Sequence, residues 1–239
     1  MAIYTIKLVE KRPVAEGTME FVFEKPEGLE FRAGQFADFT LVDPPETDEE
    51  GNTRGFSIVA APYEDYLAVA TRMRDTAFKR VLKDLPEGSE VKFDGPYGDY
   101  RLHNDTSKPA VFLIGGIGVT PVRSIIAQAT HDKTDHTITL LHANRTPDDA
   151  PFASDFAGFA AENQNFTFVP IATDSAPDDF AGERGRIDAD MIRRHVPDLT
   201  SPIFYLSGPE GMVKTMRSLL TEELGVDEDN IRTEEFDGY

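Results

Sequence analysis

Phe112-Leu-Ile-Gly-Gly-Ile-Gly-Val-Thr-Pro121 decides the fold. An apolar run over residues 110–114 meets a glycine-rich turn. Thr120 then offers a helix cap, and Pro121 a first helical residue whose missing N–H costs nothing there. This is a strand-turn-helix unit of the kind that receives a ligand on the backbone of its turn. Toward the carboxyl end, apolar strand-like runs alternate with helical periods: 138–142 then 151–161, 166–172 then 189–196, 203–206 then 211–224, and a last strand from Ile231. The succession predicts a five-stranded parallel α/β sheet wound by right-handed crossovers. Ser207-Gly-Pro-Glu-Gly-Met212 repeats the strand-turn-helix logic further along that sheet.

Toward the amino end the period changes. Short alternating runs at 4–9, 19–23, 36–41, 56–59, 66–71 and 90–93, separated by turn residues, predict an antiparallel β-barrel or sandwich. Asp43-Pro-Pro-Glu-Thr-Asp-Glu-Glu-Gly51 reads as a charged loop between two of these strands. One helix interrupts them, capped by Thr76, with Ala77, Phe78, Val81, Leu82 and Leu85 at helical spacing. The polar stretch 101–109 suits a linker, so the expected domains are 1–104 and 105–239.

A chain of 239 residues is long enough for two such domains, each with its own core. Its 24 basic and 43 acidic residues leave a net charge of −19, which argues against nucleic acid or an anionic membrane surface as partner. The acid excess is spread over both halves and fits either a salt-rich cytoplasm or an ordinary acidic enzyme. The absence of cysteine excludes disulfides, thiolate zinc sites and a cysteine-ligated iron-sulfur cluster within these residues. His103, His131, His136, His142 and His195 show no metal-ligand spacing, so no metal is expected. The first residues alternate like a strand, and no apolar stretch approaches the length of a membrane span. A cytoplasmic monomer without membrane insertion is expected.

Two further segments carry chemistry. Thr53-Arg-Gly-Phe-Ser57 places a cation, a flat ring and a hydroxyl within four residues. Thr71-Arg-Met-Arg-Asp-Thr-Ala-Phe78 runs a basic strand end into the capped helix, whose amino terminus is an anion site. With the two glycine turns in this order, the chain resembles the ferredoxin-NADP reductase superfamily over nearly its whole length. The resemblance implies an antiparallel β-barrel flavin-binding domain followed by an α/β parallel-sheet nicotinamide-binding domain. It implies hydride transfer from NADPH or NADH to FAD, then single electrons to a separate acceptor, a ferredoxin or an oxygenase iron-sulfur component. A flavin, ferric or quinone reductase with a diffusible acceptor, and a flavin-bearing electron-transfer subunit, are the alternatives.

Residue by residue, the resemblance assigns Arg54 to flavin phosphate, Gly55 and Phe56 to the ring's flank, and Ser57 to a hydrogen bond near flavin N5. Arg72 and the amides of Thr76 and Ala77 would receive the pyrophosphate, and Thr71, which opens that segment, is a further flavin-site candidate. Gly116, Thr120, Pro121, Gly208 and Pro209 belong to the nicotinamide turns. Ser207 stands where relatives usually carry cysteine. Arg145 and Arg186 are candidates for an adenosine 2′-phosphate, which Asp174 would repel. Glu234 and Phe236 match a Glu-x-Phe segment near the flavin, with Tyr239 the other ring able to cover it.

Overall fold

The computed structural model describes residues 3–236 and resolves them into two six-stranded sheets. The first is antiparallel. It is built from β1 (Ile3–Ala15), β2 (Thr18–Glu24), β3 (Phe36–Leu41), β4 (Thr53–Ser57), β5 (Tyr66–Arg72) and β6 (Glu90–Tyr97), in the order β4-β3-β6-β1-β2-β5. Past the end of β4, Val59 N–H donates to Ala68 O at 2.8 Å, which ties one edge to the other and curls the sheet into a barrel. Alternation sends Phe21, Phe23, Phe39, Leu41 and Phe93 inward, where all are essentially without solvent contact. Helix α1 (Ala77–Asp84) follows β5. The Thr76 hydroxyl accepts from the Lys79 amide, so the expected cap is in place, while Leu85 ends the helix instead of extending it.

The second sheet is parallel. It comprises β7 (Ala110–Gly115), β8 (Ile138–Asn144), β9 (Phe166–Ala172), β10 (Glu183–Arg184), β11 (Ile203–Pro209) and β12 (Ile231–Phe236), in the order β10-β9-β8-β7-β11-β12. Helices α2 (Thr120–His131), α3 (Ala153–Glu162), α4 (Ala189–His195) and α5 (Glu210–Ser218) connect them. Every residue of β7 is buried, as a central strand covered on both faces requires. The sheet has six strands where five were expected, because β10 is only two polar residues long and leaves no apolar run to read. Thr120 is the first residue of α2 and not its cap. A 3₁₀ turn over Gly116–Val119 leads directly into the helix, so Val119 occupies the cap position without a side-chain bond.

The chain runs outward from β7 to β9, then returns to the other side of β7 as β11. This makes a switch point at the carboxyl ends of β7 and β11, the place where open α/β sheets bind ligands. Helix α2 carries that switch point to the barrel: Ser124 Oγ donates to Ala60 O at 2.8 Å, Tyr63 N–H donates to Gln128 Oε1, and the Tyr63 and His131 rings stack at 3.9 Å. The stretch 101–109 is pinned as well as polar. The His103 amide donates to the Tyr205 hydroxyl at 2.9 Å, and Tyr100 packs edge-on against the Tyr205 ring. The two sheets thus meet around a shared core.

Candidate functional site

Between the barrel and the glycine turns lies a cavity of about 200 Å³. Its barrel wall is Arg54, Gly55, Phe56 and Ser57 from β4, Thr71 and Arg72 from β5, and Thr76 at the start of α1; Ile117 and Thr120 close it from the other domain. Strand pairing explains the order. Ser57 is opposite Phe36 in the β3–β4 ladder and turned inward, whereas Phe56 lies between the Phe39 and Phe78 rings. Ser57 is buried, and its hydroxyl oxygen has no hydrogen-bond partner. Such a group costs free energy unless a ligand or water completes it.

A second cavity, about 540 Å³, opens at the switch point. Arg72 and Arg74 line one side, Gly115, Gly116, Pro209 and Met212 the floor, and Asn144, Arg145, Thr173 and Arg186 the far end. The two glycine turns touch here. A Cβ on Gly118 would lie 2.6 Å from the Gly208 backbone, and Gly208 itself has φ +143°, so neither position accepts a side chain without displacement. His142 sets the first turn from below. Its Nε2 lies 2.9 Å from Gly116 O; burial pushes the imidazole down to about 4, leaving a neutral ring that donates this bond. The Asn144 amide is buried with neither its nitrogen nor its oxygen partnered. His142 and Asn144 carried no sequence signal beyond their place at the end of an apolar strand.

Ser207 and Glu234 are neighbours in the β11–β12 ladder, and each has a buried oxygen without a partner. Burial pushes the Glu234 carboxyl up to about 7, with the Asp99 charge adding to it. Tyr100, wholly buried, is raised in turn by burial and by Glu234. Gly208 lies against Gly115, Pro121 is buried in the first turn of α2, and Ala77 is buried at the first position of α1. Phe236 ends β12 opposite Pro209, and Tyr239 lies outside the described residues.

The basic groups do not all stand free. Arg54 donates to Asp48 at 2.9 Å and pairs with Glu50 at 3.0 Å, with its guanidinium over the Phe78 ring. Arg72 and Arg145 both approach Asp149 at 3.6 Å, and Arg80 is held by Glu46 and Asp75. Arg74 and Arg186 have no acidic partner among the described residues. Those residues contain no cluster of metal-ligating side chains and no helix long and apolar enough to cross a membrane.

Comparison with known proteins agrees with this geometry. A family model for the oxidoreductase NAD-binding domain matches residues 112–218. The chain is 25% identical to ferredoxin-NADP reductase B of Sorangium cellulosum, covering 98% of both. It is 31% identical to a component of the Na⁺-translocating NADH-quinone reductase of Idiomarina loihiensis over 76% of this chain, and spans only 44% of that relative's length. The fold matches that of a Neisseria gonorrhoeae ferredoxin NADP⁺ reductase, solved with bound FAD and NADP, with TM-score 0.80 and 23% identity over 98% of each chain. The chain thus carries an oxidoreductase NAD-binding domain over residues 112–218, and its arrangement of a barrel facing the paired glycine turns of a parallel sheet is the fold of ferredoxin-NADP reductases, to which it is similar along nearly its whole length.

Proposed function

We propose that the protein is an FAD-dependent reductase that takes hydride from NADPH or NADH and passes electrons singly to a separate acceptor, a ferredoxin or an oxygenase iron-sulfur component. In this reading residues 1–104 hold the flavin and 105–239 the nicotinamide dinucleotide. A bound flavin accepts two electrons as hydride and releases them one at a time. The observation that carries the proposal is the pair of orphaned polar groups at the two cavities: Ser57 Oγ at the first and the Asn144 amide at the second are buried with no partner in the protein, as is Ser207 Oγ in the strand leading to Gly208 and Pro209.

The roles of the side chains follow from their positions. Phe56 and Thr71 flank the ring site, and Arg72 and the Ala77 amide face the phosphates, the expected Thr76 amide being already engaged by the Arg74 carbonyl at 2.9 Å; the Ser57 hydroxyl donates where charge develops on the flavin. Gly116, Thr120, Pro121, Gly208 and Pro209 let the nicotinamide half approach the backbone, and Ser207 sits beside it. Arg145 and Arg186 at the far end favour a 2′-phosphate, which Asp174 opposes. Glu234, titrating near neutral pH, holds or releases a proton next to Ser207. The test is direct. Purified protein is expected to be yellow, to release FAD on acid treatment, and to bleach rapidly when mixed anaerobically with NADPH or NADH. Protein that binds no flavin would refute the proposal, and bleaching that needs a tightly associated subunit would favour the electron-transfer subunit instead.

A further inference from the structure

Residues 43–51 lie in the connection from β3 to β4, Glu50 among them lines the first cavity, and the acids they carry lie on Arg54 at that cavity and on Arg80 of α1. Glu46 takes Arg80 with both oxygens, at 2.9 and 2.7 Å. Asp48 Oδ1 accepts from Arg54 at 2.9 Å, and Glu50 Oε2 lies 3.0 Å from the same guanidinium. The other Arg54 nitrogen donates to the carbonyls of Glu50, Gly51 and Thr53. Burial of the Asp48 carboxyl is outweighed by the Arg54 bond and by the amides of Glu50 and Ala77, the last being the first residue of α1; the group is held below the usual carboxylate range.

We propose that this loop is a carboxylate lid over the flavin-phosphate site, with Asp48 and Glu50 occupying Arg54 and the amino-terminal end of α1 until a flavin phosphate displaces them. The inference rests on the flavin reading above. Three observations support it beyond the ion pairs. Besides the Glu50 amide of its own loop, Asp48 engages the cation and helix end that a phosphate would use. Glu50 lines the first cavity, and at about 200 Å³ that cavity is smaller than the ~300–1,000 Å³ typical of small-molecule sites. The acids are also poorly anchored, with the Asp48 and Glu50 side chains 33% and 77% exposed, so their hold on Arg54 is weak against a phosphate that brings more charge and more acceptor oxygens. The exchange swaps one set of charge-assisted bonds for another and breaks no covalent bond.

The double variant Asp48→Asn, Glu50→Gln tests the idea. Holoprotein, equilibrated with excess FAD, FMN or riboflavin, is serially diluted and the free flavin read by its fluorescence. Removing the two competing charges is expected to lower the dissociation constants of FAD and FMN by about threefold to tenfold, while leaving riboflavin, which has no phosphate, unchanged. In the wild type, a Glu-specific protease is expected to cut the loop faster with FAD bound than with riboflavin bound. Unchanged or weaker FAD binding in the variant overturns the lid and makes the carboxylates a fixed support for Arg54. An equal gain for all three flavins also overturns it, since the effect would not concern phosphate. If neither protein binds any flavin, the flavin reading itself fails and the lid with it.

Discussion

Glu234 gives the fold a measurable pH dependence. Its carboxyl keeps a proton in the fold up to about pH 7, pushed there by burial and then by Asp99, whereas in the unfolded chain it ionises near 4.5. Between those values the unfolded state has released a proton that the folded state still holds. The stability linked to this group is therefore complete below about pH 4.5 and is lost as pH rises through about 7. Glu234→Gln stays neutral throughout and is expected to match the wild type at pH 4. At pH 8 it should be more stable by about 1 to 3 kcal/mol, after allowance for partial solvent contact. Denaturant unfolding at both pH values reads this, and equal midpoints at pH 8 would return the carboxyl to an ordinary surface role. Ser57 makes the complementary case. A hydrogen bond to a group that gains charge is worth about 1.5 to 3 kcal/mol, or roughly tenfold to a hundredfold in rate. Ser57→Ala is accordingly expected to slow flavin reduction in stopped flow while flavin content stays near that of the wild type. A full rate with flavin bound would remove the hydroxyl from the chemistry.

At the scale of elements, what was legible in the sequence follows a physical pattern. Strand β3 alternates cleanly because one face is core, and β7 reads as an unbroken apolar run because both faces are. The edge strand β10 buries almost nothing, so two polar residues pair with β9 without leaving a hydrophobic trace. Thr120 and Pro121 resemble a cap and a first helical residue. Only the conformation of Gly116, at φ +53°, produces the preceding 3₁₀ turn that makes a cap unnecessary. The state of Arg54 was hidden for another reason: residues 43–51 look like a solvated acidic loop until the barrel folds them back onto the guanidinium. The meeting of the two glycine turns is likewise a contact between distant segments, and it yields its own prediction. Gly118→Ala would set a methyl 2.6 Å from the Gly208 backbone, with no flexible side chain to yield. The turns must part, so this variant is expected to keep its flavin but to raise KM for the nicotinamide donor by about fivefold to a hundredfold, the cost of overpacking at about 1 to 3 kcal/mol. An unchanged KM would show that the donor does not rest on this contact.

For the molecule as a whole, the decisive question is what keeps two domains in register for chemistry at their boundary. With a net charge of −19 the surface repels itself and would repel an acidic acceptor, so long-range electrostatics works against both compactness and docking. The junction counters this with a buried cation. Arg123 on α2, only 9% exposed, pairs with Glu64 of the barrel and with Asp155 of α3, and one of its nitrogens reaches Val59 O at 3.4 Å. Burial acts to lower the guanidinium's proton affinity, but the Glu64 bond and charge outweigh it and raise it. Removing one partner of such a pair leaves the other charge buried and uncompensated, which costs about 3 to 5 kcal/mol. Arg123→Met is therefore expected to lower the thermal midpoint by about 6 to 20 °C for a chain of this size. Adding Glu64→Gln should restore part of the loss, because the stranded carboxylate is then neutral. Since Arg123 touches neither cavity, flavin content should persist while the rate of reduction by the nicotinamide donor falls as α2 loosens from the barrel. A midpoint equal to that of the wild type would mean that the Ser124, Gln128 and Tyr63 contacts hold the domains together without the ion pair.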